Sequence, residues 1–256
     1  MQTSMRVPIC VASLLWISVI SVSAPAADDA TNPASVSPPY EYRDRHDPNG
    51  IGKFYLGREI AHVMGHEAAD WLERPERQEE EKPEQLIEAL KLKPGDSVAD
   101  IGAGSGYYSW RMAETIGPKG RVYAVDIQQE MLDLLDKKMA DRKITNVKTV
   151  LGTITDPKLS PNSIDLALMV DVYHEFDHPF EMMAAISNAL KPGGRVVFVE
   201  FRAEDPKVPI KAVHKMSEQQ LRKEMAVQPL TWVETSEVLP WQHIIVFRKQ
   251  GSHHAK

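Results

Sequence analysis

A short apolar segment, Ser97-Val98-Ala99-Asp100-Ile101, runs straight into Gly102-Ala103-Gly104-Ser105-Gly106 and then into a stretch with helical spacing. Glycines at alternate positions let the backbone turn sharply, and they let a ligand approach the main chain with no Cβ in the way. A strand that empties into such a turn and then into a helix is the opening unit of a doubly wound α/β sheet, whose ligands sit beyond the carboxyl ends of the strands. The next apolar segment, Arg121-Val122-Tyr123-Ala124-Val125-Asp126, ends in an acid 20 residues after Gly106. A carboxylate at that point can accept hydrogen bonds from both ribose hydroxyls of a nucleotide-like ligand.

The same alternation continues along the chain. Residues 84–93 are an amphipathic helix, 107–116 a second and 130–141 a third, with strands predicted at 97–102, 121–127 and 147–152. The segment 163–171 is apolar throughout, which suits a strand covered on both faces. A helix over 179–190 leads to a strand at 195–201, and Ser217 opens a helix that ends near Met225. Two strand-like segments, 231–239 and 243–249, follow with little between them and read as an antiparallel hairpin. The predicted fold is α/β: a doubly wound, mostly parallel seven-stranded sheet with an antiparallel terminal hairpin.

The segments before residue 84 are read differently. Arg6 precedes an apolar run from Val7 to Val22, and Ala24-Pro25-Ala26 has the small-residue pattern of a cleavage site, so residues 1–26 are read as a signal peptide for export, periplasmic or secreted. At 16 residues the run is short of the ~20 needed to cross a bilayer. Residues 27–50, rich in Pro, Ser, Asp and Asn, are read as a flexible linker, and 250–256 as a tail. The spacing of Ile60, Val63, Met64, Ala68 and Trp71 predicts an N-terminal helical extension over 51–83, with a charged, solvated end from 74 to 83.

Charge and cysteine content exclude several functions. Acidic side chains number 36 against 30 basic ones, for a net charge of −6, which argues against a nucleic-acid partner. The single cysteine, Cys10, rules out an internal disulfide framework and a cysteine-based zinc site. His62 and His66 have the i, i+4 spacing of a ligand pair but lack the internal Glu of H-E-x-x-H, and no metal site is expected there or between Asp171 and Glu200.

Two cofactors fit the glycine turn. A nicotinamide dinucleotide calls for G-x-G-x-x-G, whereas position 107 is Tyr. Asp100, two residues before the first glycine, would repel a pyrophosphate and attract a cationic, amino-bearing ligand. The charge argument favours S-adenosylmethionine, which carries a sulfonium, an ammonium and no phosphate.

In order, VADIGAGSG, RVYAVD, SIDLALMVD and LKPGGRVVFVEF resemble the successive motifs of the class I S-adenosylmethionine-dependent methyltransferases, over roughly residues 84–249. The resemblance implies a methyltransferase domain with S-adenosylmethionine as cofactor. It places Gly102, Ala103, Gly104 and Gly106 along the methionine part, Asp100 at its amino group, Asp126 on the ribose and Ile127 against the adenine. Thr153 stands where many relatives have an acid that contacts the adenine amine, which puts that contact in doubt; Thr153 or Asp156 could supply it. Asp171 is expected at the methionine end.

The segment after the fourth strand, Asp171 to His178, opens onto the active site in this fold. Within it His174 is the candidate base, suited to proton abstraction near neutrality, and Glu175 a second candidate. Arg58, Arg74 and Arg77 are expected to pair with the many nearby Glu residues rather than with an anionic acceptor. The expected partner is a small-molecule acceptor, with no nucleic acid and no membrane after signal cleavage. Two other readings stay open: an exported, catalytically silent methyltransferase-like domain, and a nicotinamide-dependent oxidoreductase.

Overall fold

The computed structural model describes Met1 and residues 40–251. The proposed signal peptide, the linker up to residue 39 and the tail from residue 252 lie outside the described residues.

Seven strands form the main sheet: β4 (Ser97–Ile101), β5 (Arg121–Asp126), β6 (Val147–Leu151), β7 (Ile164–Val170), β8 (Leu190–Phe201), β9 (Leu230–Ser236) and β10 (Gln242–Lys249). Their order is β6-β5-β4-β7-β8-β10-β9. Neighbours are parallel except at β10, which is antiparallel to both β8 and β9. This is the doubly wound sheet with a terminal hairpin that the periodicity predicts.

Helices α3 (Pro83–Ala89), α4 (Ser109–Ile116), α5 (Gln129–Asp141), α6 (Pro179–Ala189) and α7 (Glu218–Met225) flank it. Alternation along β4 shows how both faces are filled. Val98 packs with Leu86, Met112 and Ile116 on one side, while Ala99 and Ile101 pack with Met182 and Ile186 on the other. Ser217 caps α7 by accepting a hydrogen bond from the Gln220 N–H at 3.1 Å, as its position suggests. Leu190, expected as the last helical residue, and residues 191–194, between the expected helix and strand, begin β8 instead. Leu190 pairs with Ile164 before a register shift, so the Pro-Gly-Gly segment is a bulge inside the strand.

The N-terminal segment corrects the sequence reading. In place of a helical extension it forms a second, three-stranded antiparallel sheet: β1 (Tyr40–Tyr42), β2 (Gly50–Tyr55) and β3 (Arg58–Ala61). Leu56 and Gly57, both at positive φ, make the tight turn between β2 and β3. The i, i+3, i+4 spacing around Ile60 imitated a helix, but pairing with β2 outweighs that local pattern. Short helices follow: a 3-10 turn (His66–Ala68), α1 (Ala69–Leu72) and α2 (Arg77–Glu81).

The linker reading also fails at its end. Tyr40 Oη donates to Glu181 at 2.6 Å and accepts from the Phe180 N–H at 3.1 Å, which ties β1 to α6. The charged end at 74–83 is not wholly solvated either, since Arg77 and Glu81 are buried together. His62, just after β3, and His66, in the 3-10 turn, share no helix, so their i, i+4 spacing has no structural meaning.

Candidate active site

Strand order reverses between β4 and β7, so the loops leaving these strands diverge and leave a crevice. A cavity of about 650 Å³ opens there, within the range of small-molecule sites. Gly102, Gly104, Asp126, Ile127, Thr153, Asp171, His174 and Glu175 all line it. Residues from four separate parts of the sequence thus meet on one surface.

The glycine turn is built around Asp126. Its carboxylate accepts from the Gly104 N–H and the Gln128 N–H, each at 2.9 Å, which binds the turn after β4 to the end of β5. Gly104 sits at φ +52, and a Cβ there would lie 2.8 Å from Leu72 Cδ1. The turn therefore needs glycine for its conformation as well as for close approach. Gly106, at φ +77, faces away from the cavity. A Cβ on it would lie 2.7 Å from Leu135 Cγ, so this glycine lets α5 pack against the turn.

Asp171 holds the other side. It is a non-glycine residue at φ +51, and such local strain gathers at functional sites. Its Oδ2 accepts from Gln242 Nε2 at 2.8 Å, whereas Oδ1 is buried with no hydrogen-bond partner. Burial, then the nearby Glu81 and Glu200, push this carboxyl well above the usual carboxylate range. A cationic group brought beside the free Oδ1 would reverse that.

A histidine cluster forms a further part of the wall. His174 Nδ1 lies 2.6 Å from Glu200 Oε2, and Glu200 Oε1 accepts from the Tyr173 N–H at 2.9 Å. Burial alone would lower His174, but the Glu200 carboxylate outweighs it and holds the ring above its ordinary value. His174 Nε2 faces His214 Nδ1 at 3.2 Å. Burial, with the His174 ring beside it, pushes His214 down to about 4. Glu175 is pushed up to about 7 by burial, and its Oε2 accepts from the Met64 N–H at 3.3 Å.

The N-terminal segment lines the cavity through the turn after β3 and the short helix α1. Met64, Trp71 and Leu72 line it, and Gln128 fastens the segment by donating to the Met64 carbonyl and accepting from the His66 N–H, each at 2.9 Å. The three arginines pair with glutamates, as the sequence suggests: Arg58 with Glu224, Arg74 with Glu80 and Glu81, and Arg77 with Glu81.

Residues 92–246 match the family described as methyltransferase domain, more than half of the chain. The chain belongs to the methyltransferase-domain family. Among curated relatives, a demethylmenaquinone methyltransferase of a Geobacillus species is 25% identical over 117 residues, 46% of this chain and 50% of that protein. The ubiquinone/menaquinone biosynthesis C-methyltransferase UbiE of Ectopseudomonas mendocina is 28% identical over 116 residues, 45% of each. The chain thus spans about half the length of these relatives. The fold agrees with the crystal structure of a SAM-dependent methyltransferase from Aquifex aeolicus, at TM-score 0.69 and 22% identity, covering 73% of this chain and all of that one.

The methyltransferase domain is of the class I, S-adenosylmethionine-dependent kind, and the cavity fits that cofactor. The unpartnered Asp171 Oδ1 suits its ammonium, the Asp126 carboxylate its ribose hydroxyls, and the half-exposed Ile127 its adenine. Thr153 lines the cavity where an adenine contact is expected. Asp156 is not available for that contact, because the Lys158 N–H at 2.7 Å and Nζ at 2.8 Å occupy it.

Three expected cofactor residues do not line the cavity: Asp100, Ala103 and Gly106. Asp100 instead accepts from Ser109 Oγ at 2.6 Å at the start of α4. Sequence spacing placed it in the turn but could not show which way its side chain pointed. Gln128, His214 and Glu200 were missed as site residues. His214 has no motif around it and comes near His174 only through the 3-10 turn Ala212–His214.

Asp100 gives a pH-dependent prediction for the methyltransferase domain. Burial raises its carboxyl to about 6, against the opposing Ser109 hydrogen bond. In the unfolded chain it ionises near ~3.9. Between those values the folded state keeps a proton that the unfolded state has released, so stability falls as pH rises through that window. Asp100→Asn should therefore be more stable than the parent by on the order of 2–3 kcal/mol at pH ~8, and by much less at pH ~4.5, in urea unfolding. Its affinity for S-adenosylhomocysteine should stay within a few-fold of the parent.

Proposed function

We propose that this chain transfers a methyl group from S-adenosylmethionine to a small, apolar organic acceptor with an acidic hydroxyl, of the hydroquinone or phenol class. One observation carries the reading. The Glu200-held His174 opens into the same cavity as Gly104, Asp126 and Asp171, beside apolar walls from Met64, Trp71 and Phe176. The relatives, a demethylmenaquinone methyltransferase and a C-methyltransferase of ubiquinone and menaquinone biosynthesis, support a quinol-like acceptor.

When bound, the cofactor supplies an electrophilic methyl group on a sulfonium. This chain's residues do the positioning. Asp126 and Asp171 fix the donor's two ends, and the apolar walls hold the acceptor ring and keep water out. The acceptor's hydroxyl proton leaves at the His174 end of the cavity, with Glu200 stabilising the charged ring. The acceptor oxygen, freed of its proton at His174, would be the atom that takes the methyl group supplied by the cofactor that Asp126 and Asp171 would hold, leaving the demethylated thioether as product. Residues 1–26 are read as an export signal on their apolar run and A-x-A pattern, and sequencing the N-terminus of secreted protein tests that reading.

The test uses full-length protein, a radiolabelled methyl donor and a panel of hydroquinones and phenols. His174→Gln should lower the transfer rate ~10²–10⁴-fold while binding S-adenosylhomocysteine like the parent. Unchanged transfer would sink the role given to His174. Donor binding with no transfer to any acceptor would favour the silent, ligand-binding domain.

A further inference from the structure

We propose that His174, Glu175 and His214 form a binding site for one divalent ion of the zinc class, set in the wall of the cavity. The site goes beyond the methyl-transfer reading but shares the His174 ring with it, so metal uptake and donor binding are measured separately.

The geometry comes first. His174 Nε2, His214 Nδ1 and Glu175 Oε1 form a triangle with sides of 3.2, 3.9 and 4.0 Å. The centre of a circle through three points so spaced lies about 2.2 Å from each of them, against zinc bond lengths of about 2.0–2.2 Å to nitrogen and carboxylate oxygen. No side chain needs to change rotamer for one ion to reach all three. Donors about 2.1 Å from an ion stand about 3.4 Å apart at a tetrahedral angle and about 3.0 Å apart at a right angle. The observed spacings, 3.2, 3.9 and 4.0 Å, are on average wider than either, so the donors close by a few tenths of an ångström for a tetrahedral shell and by more for an octahedral face, which favours zinc.

The surroundings of these donors follow the pattern of a ligand shell. Glu200 Oε2 accepts a hydrogen bond from His174 Nδ1–H, which leaves Nε2 as the ring's lone-pair atom, facing the other two donors. A buried carboxylate that orients the far nitrogen of a histidine is the usual support of a metal-bound imidazole. The Met64 N–H holds Glu175 Oε2 and so turns Oε1 inward. The His214 side chain is one-quarter exposed, so its Nε2 can carry the proton toward solvent once Nδ1 is a ligand. Two carboxylates, Glu175 and Glu200, match the ion's charge, while the nearest guanidinium, Arg58, is already neutralised by Glu224.

Three protein donors leave a fourth position free, facing the cavity, as in catalytic rather than structural zinc sites. An acceptor hydroxyl placed there loses its proton to solvent more readily under the ion's charge, and His174 then acts as a ligand. The ring takes that proton itself only in the ion-free protein.

The test is metal uptake by chelator-treated, full-length protein. His253→Ala/His254→Ala is used as the parent, so that the histidine pair in the tail adds no binding of its own. One equivalent of Zn²⁺ should bind with sub-micromolar affinity in competition with a chromophoric chelator, and Co²⁺ should give the visible absorption bands of a four-coordinate site. His214→Ala and Glu175→Gln should each weaken uptake at least 100-fold, whereas His62→Ala should leave it unchanged. His214 is partly exposed in a surface turn, so its loss should not unfold the chain, and a thermal melt checks this. No uptake by the parent, or equal uptake in folded His214→Ala, would overturn the site. Binding of S-adenosylhomocysteine, measured in the same samples, reports on the methyltransferase reading independently.

Discussion

Asp126→Ala should weaken S-adenosylhomocysteine binding at least ~100-fold, measured by titration calorimetry on the full-length protein. Two effects add. The carboxylate lines the cavity at the end of β5, where it would accept both ribose hydroxyls, and hydrogen bonds to a charged group contribute about 1.5–3 kcal/mol each. The same carboxylate holds the Gly104 and Gln128 N–H groups, so its removal also releases the turn that would cradle the ligand. Fold stability should suffer less. Burial raises the Asp126 carboxyl, against its backbone hydrogen bonds, so part of its charge is an energetic cost to the empty protein. Binding within ~5-fold of the parent would show that the ribose is held elsewhere.

Glu224→Ala should be the most damaging single change to stability, at about 3–5 kcal/mol. Glu224 is fully buried and accepts from Arg58 Nε at 2.7 Å, Arg58 Nη2 at 3.0 Å, Gln220 Nε2 at 2.8 Å and Tyr173 Oη at 2.7 Å. Its loss leaves the Arg58 charge buried with no carboxylate partner. A drop in Tm of about 10 °C follows for a domain of this size. Replacing both partners, as in Arg58→Met with Glu224→Met, should recover most of that loss, because neither charge then needs desolvating. A Tm within ~3 °C of the parent for Glu224→Ala alone would refute the argument. The pair also matters to the site. Arg58 donates to the His174 carbonyl at 3.1 Å, so β3 and α7 together steady the turn that carries the candidate base.

The main sheet was readable from the sequence because each of its elements is a local pattern. The unbroken apolar run of β7 and the glycines and Pro that close the helices depend only on neighbours a few residues away. Part of the cavity wall was readable for the same reason. The glycine turn and Asp126 are fixed by one strand-turn-helix unit and the end of the next strand.

The N-terminal sheet was not readable. Gly50–Tyr55 has no clean alternation, and Arg58–Ala61 carries helical spacing, yet Tyr55, Ile60 and Ala61 are buried in a hairpin. Long-range pairing overrode a weak local preference. Side-chain direction was equally hidden. Asp100 and Asp171 both end or follow a strand of the same sheet, but one turns to Ser109 and the other to the cavity.

From the sequence alone, then, come the doubly wound sheet, the ligand-binding turn and the acid that completes it, since periodicity and glycine placement are local properties. Only the tertiary structure brought His214 to His174 across 40 residues, set Glu200 behind that ring and laid β3 over it. Those contacts join separate crossovers of the sheet, and no short-range pattern in a chain records which loops will meet.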